Sequence, residues 1–600
     1  MKKNFFTGLL LACTLVTFGQ QLPNRYLEET TPTFQITKDI IFSTNIPTVK
    51  STNLFGNKLA NEESYGQVTT TLKMDIYQPV NDNLNKRPVI IFAFGGGFVN
   101  GSRTEASMVQ LCQAFAKRGF VTASIDYRLG MNIGNEELSK RAVYRALQDG
   151  RSAVRFFRKN ADTYGVDANQ IFISGHSAGA FLALQSVYLD KDSERPASTR
   201  NYLGRSDLGG LEAIGDSKNY PDGTIVNGKA NGVMSFAGAL GDVNYIEGPS
   251  DVIGVYFHSS DDNTVPYNSG EPFSTLSWLP GFNLPTVYGG NQLNIRANNV
   301  GASHTFYPYT NRGHGVHYNG SSLYSDITPR GAQFFYDNRL KPSTVSITGS
   351  TSVCATCPSQ IYTATSSAYY YDWQIVGGTF VNRDPLNNTV TVQWNTSSIL
   401  RKLTVTPYSR QLARGNAASL DINVNRAPIA KNNLNTITDF TNIDLNDYFT
   451  DPEGQALSYK ITSSSDSFAK VNQSSNSLIT IDRLANENAD ITIEVTDGSS
   501  CSLIQTLKLQ STNIKNEVNA SIFPNPLVDN NVNVTLDGKY QGGITLQLYN
   551  GEGQLLQEKI INKIETQETT QLVLENQKQG IYFVKIMSQK GEVIKKIIKN

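Results

Sequence analysis

Six hundred residues hold 52 Lys and Arg against 52 Asp and Glu, and 39% of them are hydrophobic. That length corresponds to roughly four domains. The balanced charge leaves no electrostatic footprint for a nucleic acid or an acidic membrane surface, so neither is expected as a partner.

Met1-Lys2-Lys3-Asn4 and the apolar run Phe5 to Phe18 read as an export leader, with Thr17-Phe18-Gly19 as its cleavage signal, so residues 1–19 are expected to be removed. Leu10-Leu11-Ala12-Cys13 offers a lipoprotein reading, but the apolar run continues beyond Cys13. No later stretch reaches the ~18 apolar residues of a membrane span, so the chain is not expected to be transmembrane. Cys112, Cys354, Cys357 and Cys501 are too few for a disulfide-built scaffold. Cys354 and Cys357 have CxxC spacing without a second pair or a nearby His, which predicts a local disulfide or two idle thiols.

From Thr69 to about Pro342 strand and helix signals alternate. Strands are expected at Thr71–Tyr77, Pro88–Phe94, Val121–Tyr127, Ile171–Ser174, Gly232–Ala239, Val252–His258 and His304–Tyr309. Helices are expected near Met108–Lys117, Glu136–Ala161, after Ser177, and over Ser325–Asn338. Apolar strands interleaved with helices predict an α/β fold: a doubly wound, mostly parallel sheet covered on both faces. Catalytic groups gather at the carboxyl ends of such strands. Asp190–Lys229 is polar and rich in Gly and Asp, and reads as a loop or a partial lid. Beyond Pro342 short Thr/Val/Ile/Tyr strands with Asn/Gly/Ser turns predict all-β sandwich modules. Lys341–Thr344, Asn425–Pro428 and Asn513–Asn519 read as linkers.

The chemistry centres on Gly175-His176-Ser177-Ala178-Gly179, which follows an apolar strand and opens a helix. So sharp a strand-to-helix turn strains the central Ser and lifts its hydroxyl clear of the sheet, with glycines two residues away on each side for steric reasons. A Ser hydroxyl needs a base, and the base an orienting acid, in the order Ser, Asp or Glu, His. Asp261 and Asp262 follow one strand, and Gly313-His314-Gly315 follows the next. His314, between glycines, is favoured as the base over His317; His258 and His304 read as structural. Phe94-Gly95-Gly96-Gly97-Phe98 lies where an oxyanion loop belongs, so the amides of Gly96, Gly97 and Ala178 are the expected donors. Phe98, His176 and Trp278 are weaker candidates for substrate contact. For the aromatics between acid and base (Trp278, Phe282 and Tyr288), plain loop anchoring remains an equal alternative.

Residues 69–340 resemble α/β-hydrolases of the carboxylesterase/lipase kind with an HGGGF loop. The likeness rests on Phe94–Phe98, Ser124-Ile125-Asp126-Tyr127-Arg128-Leu129, Ala146-Leu147-Gln148-Asp149, Tyr164-Gly165-Val166-Asp167 and the elbow. His258 to Pro266 is similar to the family's H-G-x-x-D-x-x-V-P, which selects Asp262 as the acid. Phe94 departs from the family's His, and Ala180 from a frequent Gly. The resemblance implies ester hydrolysis through an acyl-enzyme on Ser177, His314 and Asp262, with no metal or organic cofactor. Three other readings stay open. One is a narrower feruloyl, acetyl or polyester esterase. The others are a prolyl-oligopeptidase-like peptidase and a non-catalytic surface-binding protein.

Residues 343–425 resemble PKD-like immunoglobulin modules, through Tyr371-Asp372-Trp373 and Val390–Trp394. Residues 426–512 are similar to cadherin-like repeats, with Asp451, Glu453 and Asp497 read as ordinary surface acids. Residues 518–600, with Ser521–Pro526, Leu548–Gly553, Gly580–Lys585 and a basic end, resemble the type IX secretion sorting domain. That likeness implies the secretion machinery as a partner and a secreted or cell-surface location. Residues 20–342 are left as the catalytic domain.

Overall fold

A computed structural model describes residues 24–49, 69–276, 278, 281–355, 358–431, 443–464, 469–483, 489–498, 501–509, 519–538, 540–589 and 591–600. The leader at residues 1–19, Cys357 and most of the linker at 513–519 lie outside them.

The first unit is built on eight strands: β1 (Phe34–Pro47), β2 (Thr69–Pro79), β3 (Arg87–Ala93), β4 (Val121–Ile125), β5 (Val166–His176), β6 (Gly232–Phe236), β7 (Ile253–Ser259) and β8 (His304–Tyr309). Their order across the sheet is β1-β2-β4-β3-β5-β6-β7-β8. β1 and β2 pair antiparallel, as do β2 and β4; the remaining neighbours are parallel. Every residue of β3, β4 and β6 is buried, as continuous apolar runs require when both faces are covered. The fold is the expected doubly wound α/β-hydrolase sheet. β1 was not expected from the sequence. Its register slips three times along β2, which scrambles the period-two signal.

Helices α1 (Ala106–Ala116), α2 (Glu136–Lys159), α3 (Ala178–Tyr188), α4 (Gly290–Val300) and α5 (Ile327–Phe335) cover the sheet. Asn135 caps α2 by accepting the Leu138 N–H at 2.9 Å, and Glu136 and Glu137 occupy its first turn. Buried arginines on α2 decide the fate of residues 190–229. Arg141 donates to the carbonyls of Ser198, Arg200 and Ser206, and Arg155 to Glu212 and the Ile214 carbonyl. Gln148 Nε2 reaches the Leu208 and Gly210 carbonyls, both at 2.9 Å. The segment is therefore fastened along α2, and the partial-lid reading is corrected to a strapped loop. The carbonyls that it turns toward α2 are satisfied by these side chains.

Three β units follow, each with its own apolar core: around Trp373, Trp394 and Val405, around Ile479, Ile491 and Leu507, and around Val534, Leu546 and Val584. The first is joined to the α/β unit by more than a linker. Tyr26 donates to the Gln411 carbonyl at 2.6 Å, Gln411 to Asp167, and Tyr336 to the Arg414 carbonyl, while Ala413 is fully buried in the α/β core. Cys354 pairs with Cys501, 147 residues away, so the expected local CxxC disulfide or pair of idle thiols is corrected. Asn425, expected in a linker, is 2% exposed and donates to Asp497 at 2.6 Å. Asp451 and Asp497 are likewise buried, at 6% and 7% exposure, which corrects their reading as surface acids.

Candidate active site

Ser177 sits between β5 and α3 with φ +54° and ψ −121°, a conformation that costs a non-glycine residue about 1–3 kcal/mol. The glycines make it possible. A Cβ on Gly175 would stand 2.3 Å from the Gly179 carbonyl, and one on Gly179 would stand 2.1 Å from the Ala93 carbonyl oxygen. Ser177 N–H donates to the Phe236 carbonyl at 3.0 Å, tying the elbow to the end of β6.

His314 and Asp262 arrive from the loops after β8 and β7. His314 Nε2 lies 2.8 Å from Ser177 Oγ, and its Nδ1 lies 2.8 Å from Asp262 Oδ2. With the carboxylate accepting, Nδ1 carries the proton and Nε2 presents a lone pair to the hydroxyl. Asp262 Oδ1 accepts the N–H groups of Thr264 and Val265 at 2.8 and 3.0 Å. Burial pushes the Asp262 pKa up, but hydrogen bonds from His258 and His314 outweigh it and hold the carboxyl well below the usual range. Asp261, the competing acid, instead takes a hydrogen bond from Ser259 and braces the Gly313 N–H at 3.3 Å. Arg312 fixes the same entry to the base loop. Its guanidinium lies 3.9 Å from the Tyr309 ring centre and 4.1 Å from that of Tyr324, and pairs with Asp326 at 3.1 Å.

The glycine loop borders the nucleophile: a Cβ on Gly95 would lie 3.4 Å from Ser177 Cβ. Gly96 and Gly97 take φ of +107° and +62°, open to glycine without strain. Ala178 opens α3, so its N–H has no intrahelical acceptor. Phe94 stacks on Tyr127 at 4.4 Å and accepts the Tyr127 hydroxyl at its carbonyl (2.8 Å), so an aromatic pair braces the loop where the family has His.

The structure places the three weaker candidates in different surroundings. Phe98 is 3% exposed and packs edge-on to Tyr127, inside the core. His176 turns its Nε2–H to the His314 carbonyl at 2.9 Å. Trp278 is 74% exposed; the aromatic against the glycine loop is Phe273, whose ring lies 3.5 Å from the Cβ position of Gly97. Nothing in the spacing of the sequence marks Phe273. The remaining histidines are held as structural groups. His258 accepts the Gly290 N–H at 3.0 Å, His304 meets Asn294 Oδ1 at 3.0 Å, and His317 meets Ser107 Oγ at 2.9 Å.

Sheet order and elbow together define an α/β-hydrolase fold. Residues 74–276 match the BD-FAE family model, and residues 521–600 match the secretion system C-terminal sorting domain. Gut esterase 1 of Caenorhabditis elegans is 34% identical over 110 residues, which span 18% of this chain and 19% of that protein. A probable isoprenylcysteine alpha-carbonyl methylesterase ICME of Oryza sativa subsp. japonica is 30% identical over 111 residues, 18% of this chain and 24% of that one. The matches thus cover less than a quarter of either relative. Among solved structures, Thermogutta terrifontis esterase 2 phosphorylated by paraoxon is 24% identical, covering 49% of this chain and 95% of that one, with a TM-score of 0.32. The chain carries an esterase-like hydrolase domain and a C-terminal secretion sorting domain. Among the described residues no helix is long and apolar enough to cross a membrane.

Proposed function

We propose that this protein is an exported serine hydrolase of carboxylic esters that works through an acyl-enzyme. The observation that carries the reading is the unbroken chain Ser177 Oγ–His314 Nε2 and His314 Nδ1–Asp262 Oδ2, each link 2.8 Å, on a strained elbow. His314 takes the Ser177 proton as the oxygen attacks the ester carbonyl. The resulting imidazolium faces the Asp262 carboxylate, and the same proton is returned to the departing alcohol. A water activated by the same imidazole then releases the acid. The amides of Gly96, Gly97 and Ala178 receive the oxyanion, each donor lowering the barrier by about 3–4 kcal/mol. The matches to esterase sequences and to the BD-FAE model support this reading, and the sorting domain supports the type IX secretion machinery as the route outward. The test is turnover of p-nitrophenyl acetate and butyrate by the whole chain. Ser177→Ala should lose it while keeping the wild-type far-ultraviolet spectrum and melting point.

A further inference from the structure

Three imidazoles cluster beside the nucleophile with their rings tilted to one another, and the relay uses one of them. His176 lies between His314 and His317, with ring centres 4.8 and 4.5 Å away. His317 points its Nε2–H at Ser107 Oγ (2.9 Å), since that hydroxyl gives its own proton to Glu105 at 2.7 Å. On its other side His317 stacks on Phe236 at 4.8 Å, and the Phe236 carbonyl accepts the Ser177 N–H. The cluster therefore closes on the elbow at both ends.

The base needs such a support. His314 lies between Gly313, at φ +51°, and Gly315, so its peptide has wide conformational freedom. Arg312 and Asp261 fix the entry to the loop, up to the Gly313 N–H. The peptide of His314 itself is held by His176, whose Nε2–H donates to its carbonyl at 2.9 Å. The same imidazole borders the glycine loop, because a Cβ on Gly95 would meet His176 Nδ1 at 3.0 Å. One side chain, covalently adjacent to the nucleophile, thus touches both the base loop and the oxyanion loop. A carboxylate here could not donate to a carbonyl.

We propose that His176 is a positioning residue of the site: its hydrogen bond to the His314 carbonyl sets the reach of the base toward Ser177. This rests on the esterase reading above. Burial, followed by the nearness of His314, lowers the His176 pKa to about 4, which keeps the ring neutral beside the imidazolium that forms in the reaction.

The test compares kcat and KM for p-nitrophenyl butyrate, with the full chain, for wild type, His176→Phe and His176→Gln. Phe keeps a stacking ring and loses the donor; Gln keeps an N–H at similar reach and loses the ring. His176→Phe should lower kcat about 100-fold, the usual cost of a reacting group misplaced by an ångström, with KM within about two-fold. His176→Gln should stay within about ten-fold of wild type. The low-field His314 Nδ1–H proton resonance should persist in the Gln variant and shift or broaden in the Phe variant. If the Phe variant melts early, His176→Ala removes the donor without bulk and gives the same comparison. Wild-type kcat without the donor, or a Gln variant as slow as Phe, overturns the proposal. A wild-type chain that turns over no ester overturns the esterase reading itself, and needs no variant to be recognised.

Discussion

His258 and Asp262 are joined at 3.3 Å, from His258 Nε2 to the same carboxylate oxygen that faces His314. His258 Nδ1 is occupied in accepting the Gly290 N–H, so its proton sits on Nε2 and points at Asp262 and the Val265 carbonyl. The acid is thus locked from behind by a second histidine. His258→Ala should lower kcat about 10- to 100-fold, as loss of an outer hydrogen-bond partner does at comparable sites. It should also destabilise the fold by about 1–3 kcal/mol, because the buried Gly290 N–H loses its acceptor. Asp262→Asn should cost kcat about 10³- to 10⁴-fold, through loss of the imidazole tautomer. Steady-state kinetics with urea unfolding of each variant measures both effects.

Stability should fall on acidification through the ordinary histidine range. Burial is the main cause that lowers His176 to about 4 and holds His317 well below the ordinary histidine range. Between about pH 6.5 and 4 the unfolded chain binds protons at these two sites that the folded chain does not, so unfolding gains as pH falls. The contribution of His176 is fully present above about pH 6.5 and gone near pH 4, and is at most about 3 kcal/mol. Asp262, held below the usual carboxylate range, adds a loss that begins only under about pH 4. Melting points between pH 4 and 8 should fall with decreasing pH in wild type, and less steeply in His317→Phe.

The Cys354–Cys501 bond ties the first β unit to the second across 147 residues of chain. The junction is packed around Asn425, whose carbonyl accepts the Ala355 N–H at 3.0 Å and whose Oδ1 accepts from Gln455 at 2.6 Å. Cys501→Ser should destabilise these two β units by about 3–5 kcal/mol, the usual effect of closing so long a loop, and leave ester turnover unchanged. Calorimetry with and without reductant, alongside kcat, checks both halves.

The joint between the α/β unit and the first β unit predicts unequal truncations. Ending the chain at 342 strips the partners of Tyr26, Asp167 and Tyr336 and uncovers the surface that Ala413 closes. A chain ending at 425 should therefore melt several degrees above one ending at 342, since ~1 kcal/mol shifts a domain of this size by about 2–4 °C. Equal melting points would show that the contact contributes nothing.

Much of the site was legible because its constraints are local. Gly175 and Gly179 flank a turn that admits no side chain, and Asp262 and His314 fall on loops directly after strands, in the order the topology demands. What escaped was set by distant parts of the chain. Cys354 chose a partner 147 residues away over its CxxC neighbour, and spacing along the chain carries no record of that. Arginine is a residue that usually faces solvent, yet Arg141, Arg145 and Arg155 of α2 are among the largest fully buried side chains. The long stems of Arg141 and Arg155 carry charge inward to carbonyls of residues 190–229, and that of Arg145 to the Gly130 carbonyl, pairings that helical periodicity cannot reveal. Trp278 and Phe273 lie five residues apart on one loop, and only the folded chain decides which faces the glycines.

The most direct test of the central claim is covalent. A fluorophosphonate probe should react with the folded protein at one residue, Ser177, identified by mass spectrometry of the digested adduct. Labelling should vanish in Ser177→Ala and slow by orders of magnitude in His314→Ala, in step with ester turnover. A native, folded chain that takes no label at Ser177, or one that still hydrolyses esters after Ser177→Ala, would contradict the account.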